Sequence, residues 1–489
     1  MRRYAIYIII FLALSFKLYQ INSPILGYHS WRQADTAAIA RNFHEQGYQL
    51  FYPQIDWGGN SAGYVETEFQ IYPFVVALLY KIFGVKELVG RFLSVIFSLV
   101  TIYTLYLLVR KHINEKVALW TCMVYSILPL NLYYSRAFMP ESGLIMCSVV
   151  GIYMFSQWIT YERWIYFFVS AFFITLACLI KIPSLYLGLP LLYLAWLKFG
   201  KKVFAQKPLW FYSMLIFIPV ELWYYHAHQI YLEYNLSFGI WDYGVGKWGN
   251  WELLFNPEFY NRIFLKSIAE RHLTWAGLVV FIIGLFIKRK GEGERLFDFW
   301  LISVLIYFAI AAQGNRMHEY YQLPFIAPAT VFVGKSFSKY LSFSRYRESS
   351  TPKRLLIAFI ILCGISILTL GSVRYYKYMK AEDVNSPKYI LSQEVRQKTE
   401  EDALIITVDN REPTILYLSH RKGWCKSSAD IDDGSLIKWE QEGARYLVGI
   451  KGDFERLSGK QRLNQLLSNY RTVASTDDYF IVKLKYEDF

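Results

Sequence analysis

The sequence predicts a polytopic α-helical membrane protein of about eleven transmembrane helices, with interfacial helices in a long first outer loop and a small C-terminal α/β domain. Three observations predict it. Hydrophobic residues make up 54% and aromatic residues 19% of the 489, well above ordinary globular usage, and that excess has to be buried. Charged residues fall to 19% and cluster between apolar runs, the pattern of a chain that alternates between lipid and water. Beyond about residue 380 the pattern reverses, with frequent charges and short apolar stretches.

The first element is Met1-Arg2-Arg3 followed by an apolar run to about Leu18. It has the charge and core of a signal peptide without a small-residue cleavage site, so it reads as a retained helix over 4–20 with a cytoplasmic N-terminus. Further runs predict helices over 91–109, 117–134, 142–159, 164–180, 184–199, 208–226, 273–287, 296–312, 321–340 and 354–373. The run from Ile71 to Phe83 is only about 13 residues and carries Lys81, too short for a hydrocarbon core that takes roughly 20, and is read as interfacial. With that run set aside, alternate loops collect the lysines and arginines. Inside lie Arg110 to Lys116, the Glu162-Arg163 turn, Lys198 to Lys207, Lys288 to Arg295 and Lys335 to Arg354; of these, only the Glu162-Arg163 turn lacks a basic excess. Outside lie 21–90, 135–141, 181–183, 227–272 and 313–320, and the odd helix count puts the C-terminus there too.

Residues 1–379 thus form a transmembrane domain and 380–489 an extracytoplasmic α/β domain. In the latter Ala403 to Val408, Tyr446 to Ile450 and Tyr479 to Leu484 read as strands, and Asp453 to Tyr470 has apolar residues at helical spacing. No internal repeat or low-complexity linker is found. The net charge of +13 sits in short clusters beside apolar runs, which suits anchors at anionic headgroups of membrane lipids and argues against nucleic acid. Four of five cysteines (Cys122, Cys147, Cys178, Cys363) fall inside apolar runs and only Cys425 outside, so no disulfide framework or metal-ligand spacing is present.

The unusual polar residues near helix ends converge on the outer side. The first outer loop holds Trp31 to Phe43, a predicted helix with Arg32, Asp35 and Ile39 on one face, then Tyr52 to Gly59 with Asp56, then Glu66-Thr67-Glu68-Phe69-Gln70-Ile71-Tyr72-Pro73. Later outer segments supply Arg136 to Glu141, Lys181 before Pro183, and Gly314 to Pro324 with Arg316, His318 and Tyr321. A charge at membrane depth costs about 2.5 to 3.5 kcal/mol, so such residues call for partners or a function. Taken singly each has a plain explanation: Asp35 paired with Arg32 or Arg41, Glu66 and Glu68 on a solvated edge, Glu141 against a helix dipole, Lys181 snorkelling. Their convergence on one membrane face favours a site.

In order and spacing, the segments Trp31 to Phe43, Glu68 to Pro73, Arg136 to Glu141, Lys181-Ile182-Pro183 and His318 to Pro324 resemble glycosyltransferase family 39, over roughly residues 1–340. That family includes bacterial aminoarabinose transferases and protein O-mannosyltransferases of the C-type glycosyltransferase fold. The resemblance implies transfer of a sugar from a polyprenyl-phosphate carrier to a glycan, lipid or protein hydroxyl at the outer face of the bacterial inner membrane. It implies Asp35 as the catalytic carboxylate of the first loop, acting as the base, with Glu141 and Glu68 beside it in catalysis. It assigns Lys181, Arg316 and His318 to the carrier phosphate, and Arg32, Asp56, Glu66 and Tyr321 to the substrate and carrier. One departure stands out: the family carries an adjacent Asp-Glu pair early on the loop helix, and Arg32-Gln33 occupies those positions, leaving Asp35 as the substitute one turn later.

A lipid-linked donor explains the lack of a nucleotide-binding motif; the sequence assigns no cofactor, and a divalent metal stays open. Asp430-Ile431-Asp432 matches a metal-binding Asp-x-Asp in form but reads as a loop beside Gly434. The alternative is a lipid or sugar transporter or flippase, which predicts functional charges at the bilayer midplane and broken helices. A non-catalytic scaffold would leave the convergence of Asp35, Glu141 and Lys181 unexplained.

Overall fold

The computed structural model describes residues 2–240, 246–341, 350–380 and 383–484. Every apolar run expected to be helical is helical. Among the described residues four helices are long and apolar enough to cross a membrane: Glu87–His112, Glu141–Tyr161, Ile182–Ala205 and Thr351–Lys380. Pro257–His272 and Trp275–Leu285, which meet at 106°, make a fifth if counted as one broken span.

Prolines set the breaks. The stretch 115–134 is two helices, Glu115–Ile127 and Pro129–Tyr134, because Pro129 forces Leu128 out of the helical region, to φ −64 and ψ 131. Lys181 is extended (φ −152, ψ 114) between the helix Trp164–Ile180 and the 3-10 turn Ile182–Leu187, where Pro183 has no N–H to continue the helix. Pro324 lies in the 3-10 segment Glu319–Phe325. The helix expected to stop at 226 runs on through polar and aromatic residues to Tyr234 and yields only at Asn235, whose φ is 55.

Contacts divide the chain into two compact units. The first comprises Met1–Ile21, Phe92–His226 and Gly239–Lys377, and holds the long apolar helices other than the start of Glu87–His112 and the ends of Lys207–Tyr234 and Thr351–Lys380. The second comprises Asn22–Arg91, Ala227–Phe238 and Tyr378–Phe489, so the C-terminal sheet folds together with residues of the first long loop.

That sheet has five strands in the order β2-β1-β3-β5-β4: β1 Leu404–Val408, β2 Lys422–Lys426, β3 Ala444–Ile450, β4 Arg471–Ser475 and β5 Tyr479–Lys483. β1 is parallel to β2 and β3, whereas β5 is antiparallel to β3 and β4. The strands read from apolar runs are β1, β3 and β5, the buried ones. β2 (Lys-Gly-Trp-Cys-Lys) and the largely exposed edge strand β4 carry no apolar alternation to reveal them. The helical stretch after β3 is two helices, Lys451–Ser458 and Lys460–Asn469, parted by Gly459 at φ 80.

Candidate active site

In the second unit the helix Ser30–Glu45 is buried from Ser30 to Phe43 on nearly every side, with Arg32, Gln33, Asp35, Thr36, Arg41 and Asn42 all inside. Buried polar groups need partners. Arg32 Nη2 lies 3.3 Å from Glu68 Oε2, and its guanidinium is 5.2 Å from the centre of the Phe238 ring. Arg41 pairs with Asp56, which also accepts from Asn42 Nδ2 at 3.1 Å. Glu66 is fully buried and accepts from the Ser237 hydroxyl, with His228 Nδ1 at 3.6 Å from its other oxygen.

The two arginines expected to neutralise Asp35 are therefore engaged elsewhere. Asp35 Oδ1 instead accepts a hydrogen bond from Trp57 Nε1 at 2.9 Å. Burial, the largest influence, disfavours the charged carboxylate; the Arg32 charge and the Trp57 hydrogen bond oppose that, Asp56 adds to it, and the pKa is pushed up to about 7. Asp35 is 3% exposed.

The first unit gathers a different set. Glu141, 1% exposed at the start of Glu141–Tyr161, accepts from Lys181 Nζ at 2.7 Å. Lys181 Nζ also sits 4.3 Å from the Tyr321 ring centre and 4.7 Å from that of Tyr320, on which His318 stacks at 5.2 Å. The extended conformation at Lys181, held before the Pro183 turn, is what lets the side chain leave the helix line. Glu141, Lys181, His318 and Tyr321 thus form one cluster. Glu141 Oε2 is buried with no hydrogen-bond partner among the described residues.

Arg316 lies instead in a polar cavity of about 170 Å³ with Arg262, Lys266 and Arg271. The last three come from a π-helix, Asn261–His272, which closes with Leu273 N–H donating to Ile268 O at 2.9 Å, a span of five residues. At about 4.4 residues per turn, a π-helix keeps positions 262, 266 and 271 on one side, whereas in an α-helix position 271 faces away from 262. Lys266 pairs with Glu258 at 3.4 Å and Arg271 with Glu319 at 3.5 Å, while Arg262 and Arg316 have no ion pair among the described residues. The cavity is net cationic.

Sequence reasoning missed Trp57, Ser237, His228, Tyr320 and the basic face of 262–271. Only the last had a local signal, basic residues spaced by four and five. Asp430 closes a capping box with Ser427 and pairs with Arg411, and Asp432 caps the helix Asp433–Gln441. Among the described residues no group of three or more His, Cys, Asp or Glu side chains is placed to hold a metal ion.

Solved structures of other proteins share this fold. ArnT from Cupriavidus metallidurans bound to undecaprenyl phosphate matches it with a TM-score of 0.66 at 14% identity, over 98% of this chain and 97% of that one. The archaeal oligosaccharyltransferase AglB from Archaeoglobus fulgidus, in complex with an inhibitory peptide and a dolichol-phosphate, matches with a TM-score of 0.61 at 13% identity, over 92% and 69%. Residues 70–225 match the family model for dolichyl-phosphate-mannose-protein mannosyltransferase, which bears out the resemblance to glycosyltransferase family 39. An uncharacterized protein of Aquifex aeolicus (strain VF5) is 25% identical over 276 residues, 54% of this chain and 59% of that relative, so the match spans less than two thirds of its length.

Proposed function

We propose that the protein is a glycosyltransferase that moves a sugar from a polyprenyl-phosphate carrier to a hydroxyl of a glycan, lipid or protein at the outer face of the bacterial inner membrane. On this reading the N-terminus is cytoplasmic, residues 1–379 form the membrane domain, and 380–489 lie on the outer side. The observation that carries the proposal is Asp35: a buried carboxylate on the first-loop helix, hydrogen-bonded to a neutral donor, with a pKa pushed up to about 7.

A general base works best when its pKa lies near the operating pH. An ordinary aspartate near 3.9 is too weak, and burial of Asp35 removes that objection. In the proposed step Asp35 takes the acceptor hydroxyl proton as the hydroxyl oxygen bonds to the anomeric carbon. The bond from that carbon to the phosphate oxygen breaks, and its electron pair leaves on the polyprenyl phosphate. Cations that meet this developing charge lower the barrier. Lys181, oriented by Glu141, supplies one. Arg316, backed by Arg262 and Arg271, supplies fixed positive charge for the carrier phosphate, while His318 and Tyr321 shape the surroundings of Lys181. Glu68 acts through Arg32, which lowers the proton affinity of Asp35. Arg41 with Asp56, and Glu66 with Ser237, hold the loop in shape.

The test is incubation of purified protein in nanodiscs with a polyprenyl-phosphate sugar and an envelope glycolipid extract. Release of free polyprenyl phosphate with matching sugar gain in the extract is expected. Movement of the intact donor across sealed liposomes without cleavage would instead establish the transporter alternative.

A further inference from the structure

We infer that Trp57 is a positioning residue for Asp35 and that the C-terminal sheet holds Trp57 in place, which makes residues beyond 380 part of the reaction machinery. This rests on Asp35 as the base. The two partners of the hydrogen bond come from different segments, and each is fastened to the same sheet domain.

The donor segment is pinned on both sides of the indole by one residue of β2. Gly423 N–H donates to Asp56 O at 3.0 Å, and Gly423 O accepts from Gly59 N–H at 2.8 Å. Trp57 itself packs against the apolar layer of the sheet that contains Ile405, Ile415, Tyr446 and Ile481. Gly59, at φ 67, lies so close beneath Trp424 that a Cβ there would stand 2.5 Å from the indole nitrogen. Gly423 has equally little room, since a Cβ would meet Ile405 O at 1.9 Å. The loop and β2 therefore meet backbone to backbone through two glycines, with a tryptophan locked on each side.

The acceptor segment is fastened along its length. Thr414 Oγ1 lies 3.3 Å from Ser30 Oγ, Arg41 Nη1 donates to Tyr417 O at 3.1 Å, and His420 Nε2 is 3.1 Å from Glu45 Oε1. These ties span the helix from its first residue to its last, with Asp35 between them. Fixing donor and acceptor to one rigid body keeps the 2.9 Å contact from relaxing, and an N–H aimed at a carboxylate favours its charged form. The titratable and charged groups around this contact are Arg32, Arg41 and Glu45 on the helix of Asp35, Asp56 on the loop, and Lys422 and Cys425 on β2, with Asp409 beyond β1.

The experiment is the pH–rate profile of transfer by the full-length protein and by Trp57→Phe, which keeps the ring and removes the N–H. The acid limb of the profile should move up by about 1 pH unit, so that turnover falls roughly tenfold at low pH and recovers above the shifted limb, with KM for the donor unchanged. Trp424→Phe, which loosens the clamp on Gly59, should move the limb the same way by less. An unmoved limb in a folded Trp57→Phe protein, or an equal loss at every pH, overturns the positioning role. A limb moved by Trp57→Phe and untouched by Trp424→Phe overturns the part given to the sheet. Failure of the underlying reading looks different, because Asp35→Asn would then retain transfer.

Discussion

Asp35 and Glu141 are both buried carboxylates near the start of a helix, and the difference in their partners separates what each is able to do. Glu141 has the Lys181 ammonium at 2.7 Å, and the two form one buried ion pair. Asp35 has a neutral indole N–H, while Arg32 and Arg41, one turn before it and nearly two turns after, are tied to Glu68 and Asp56. A buried carboxylate whose hydrogen bond comes from a neutral donor, with Arg32 acting only as a charge tied to Glu68, keeps its proton affinity near neutral pH. The diversion of both arginines is thus what makes Asp35 chemically distinctive, and adding a cation to it would convert the first arrangement into the second.

The largest effect should follow from removing the base. Asp35→Asn keeps the size of the side chain and an acceptor oxygen for Trp57 while abolishing proton uptake. Turnover should fall by about 100- to 10,000-fold with donor affinity little changed. Wild-type transfer should rise with pH through about 7, because the base works only when deprotonated, and the residual rate of Asp35→Asn should lack that limb. Single-turnover transfer at pH values on both sides of about 7 measures both. Near-normal turnover in the variant would erase the contrast with Glu141.

Next in size is the pair itself. Lys181→Met or Glu141→Gln leaves the other charge buried at 1 to 6% exposure, and breaking such a pair by one partner costs about 3 to 5 kcal/mol. Both variants should lose thermal stability as well as turnover. The double variant, with no charge left unpaired, should recover much of the stability and none of the lost turnover, if Lys181 meets the departing phosphate. Recovery of turnover in the double variant would reduce the pair to a structural role. No such rescue exists for Asp35, whose replacement removes a buried acid without stranding a cation.

How much of this was legible in the sequence follows from the range of the interactions. Helices announced themselves because apolar runs are local, and the Ile71 to Phe83 segment stood apart on length alone. Asp35, Glu141 and Lys181 could be picked out singly, since charges beside helix ends are unusual. Their partners could not: Trp57 lies 22 residues from Asp35, and Lys181 lies 40 from Glu141. The helix Ser30–Glu45 also defeats the usual argument from one polar face, because its polar residues are buried on nearly all sides and satisfied by other segments. β2 was hidden for a related reason. Its role comes from the backbone of Gly423 against residues 56 and 59, which no side-chain pattern records.

The smallest expected effect extends the comparison to the acids of the C-terminal domain. Asp430 and Asp432 have the spacing of a metal-binding pair, yet each is consumed locally: Asp430 accepts from Ser427 N–H at 2.8 Å and bridges to Arg411, and Asp432 accepts from Ser435 N–H at 2.9 Å. A side-chain oxygen that satisfies a helix N-terminus contributes about 1 kcal/mol, so Asp432→Ala should lower the stability of the full-length protein by about that amount. Transfer should stay within about twofold of wild type, since a loss of 1 kcal/mol leaves a protein with ordinary stability almost wholly folded. Thermal unfolding and single-turnover transfer on the same preparation check both. A loss of transfer comparable to Asp35→Asn, in a protein that remains folded, would mean that the Asp-x-Asp segment takes part in the chemistry and that cap geometry is not its purpose.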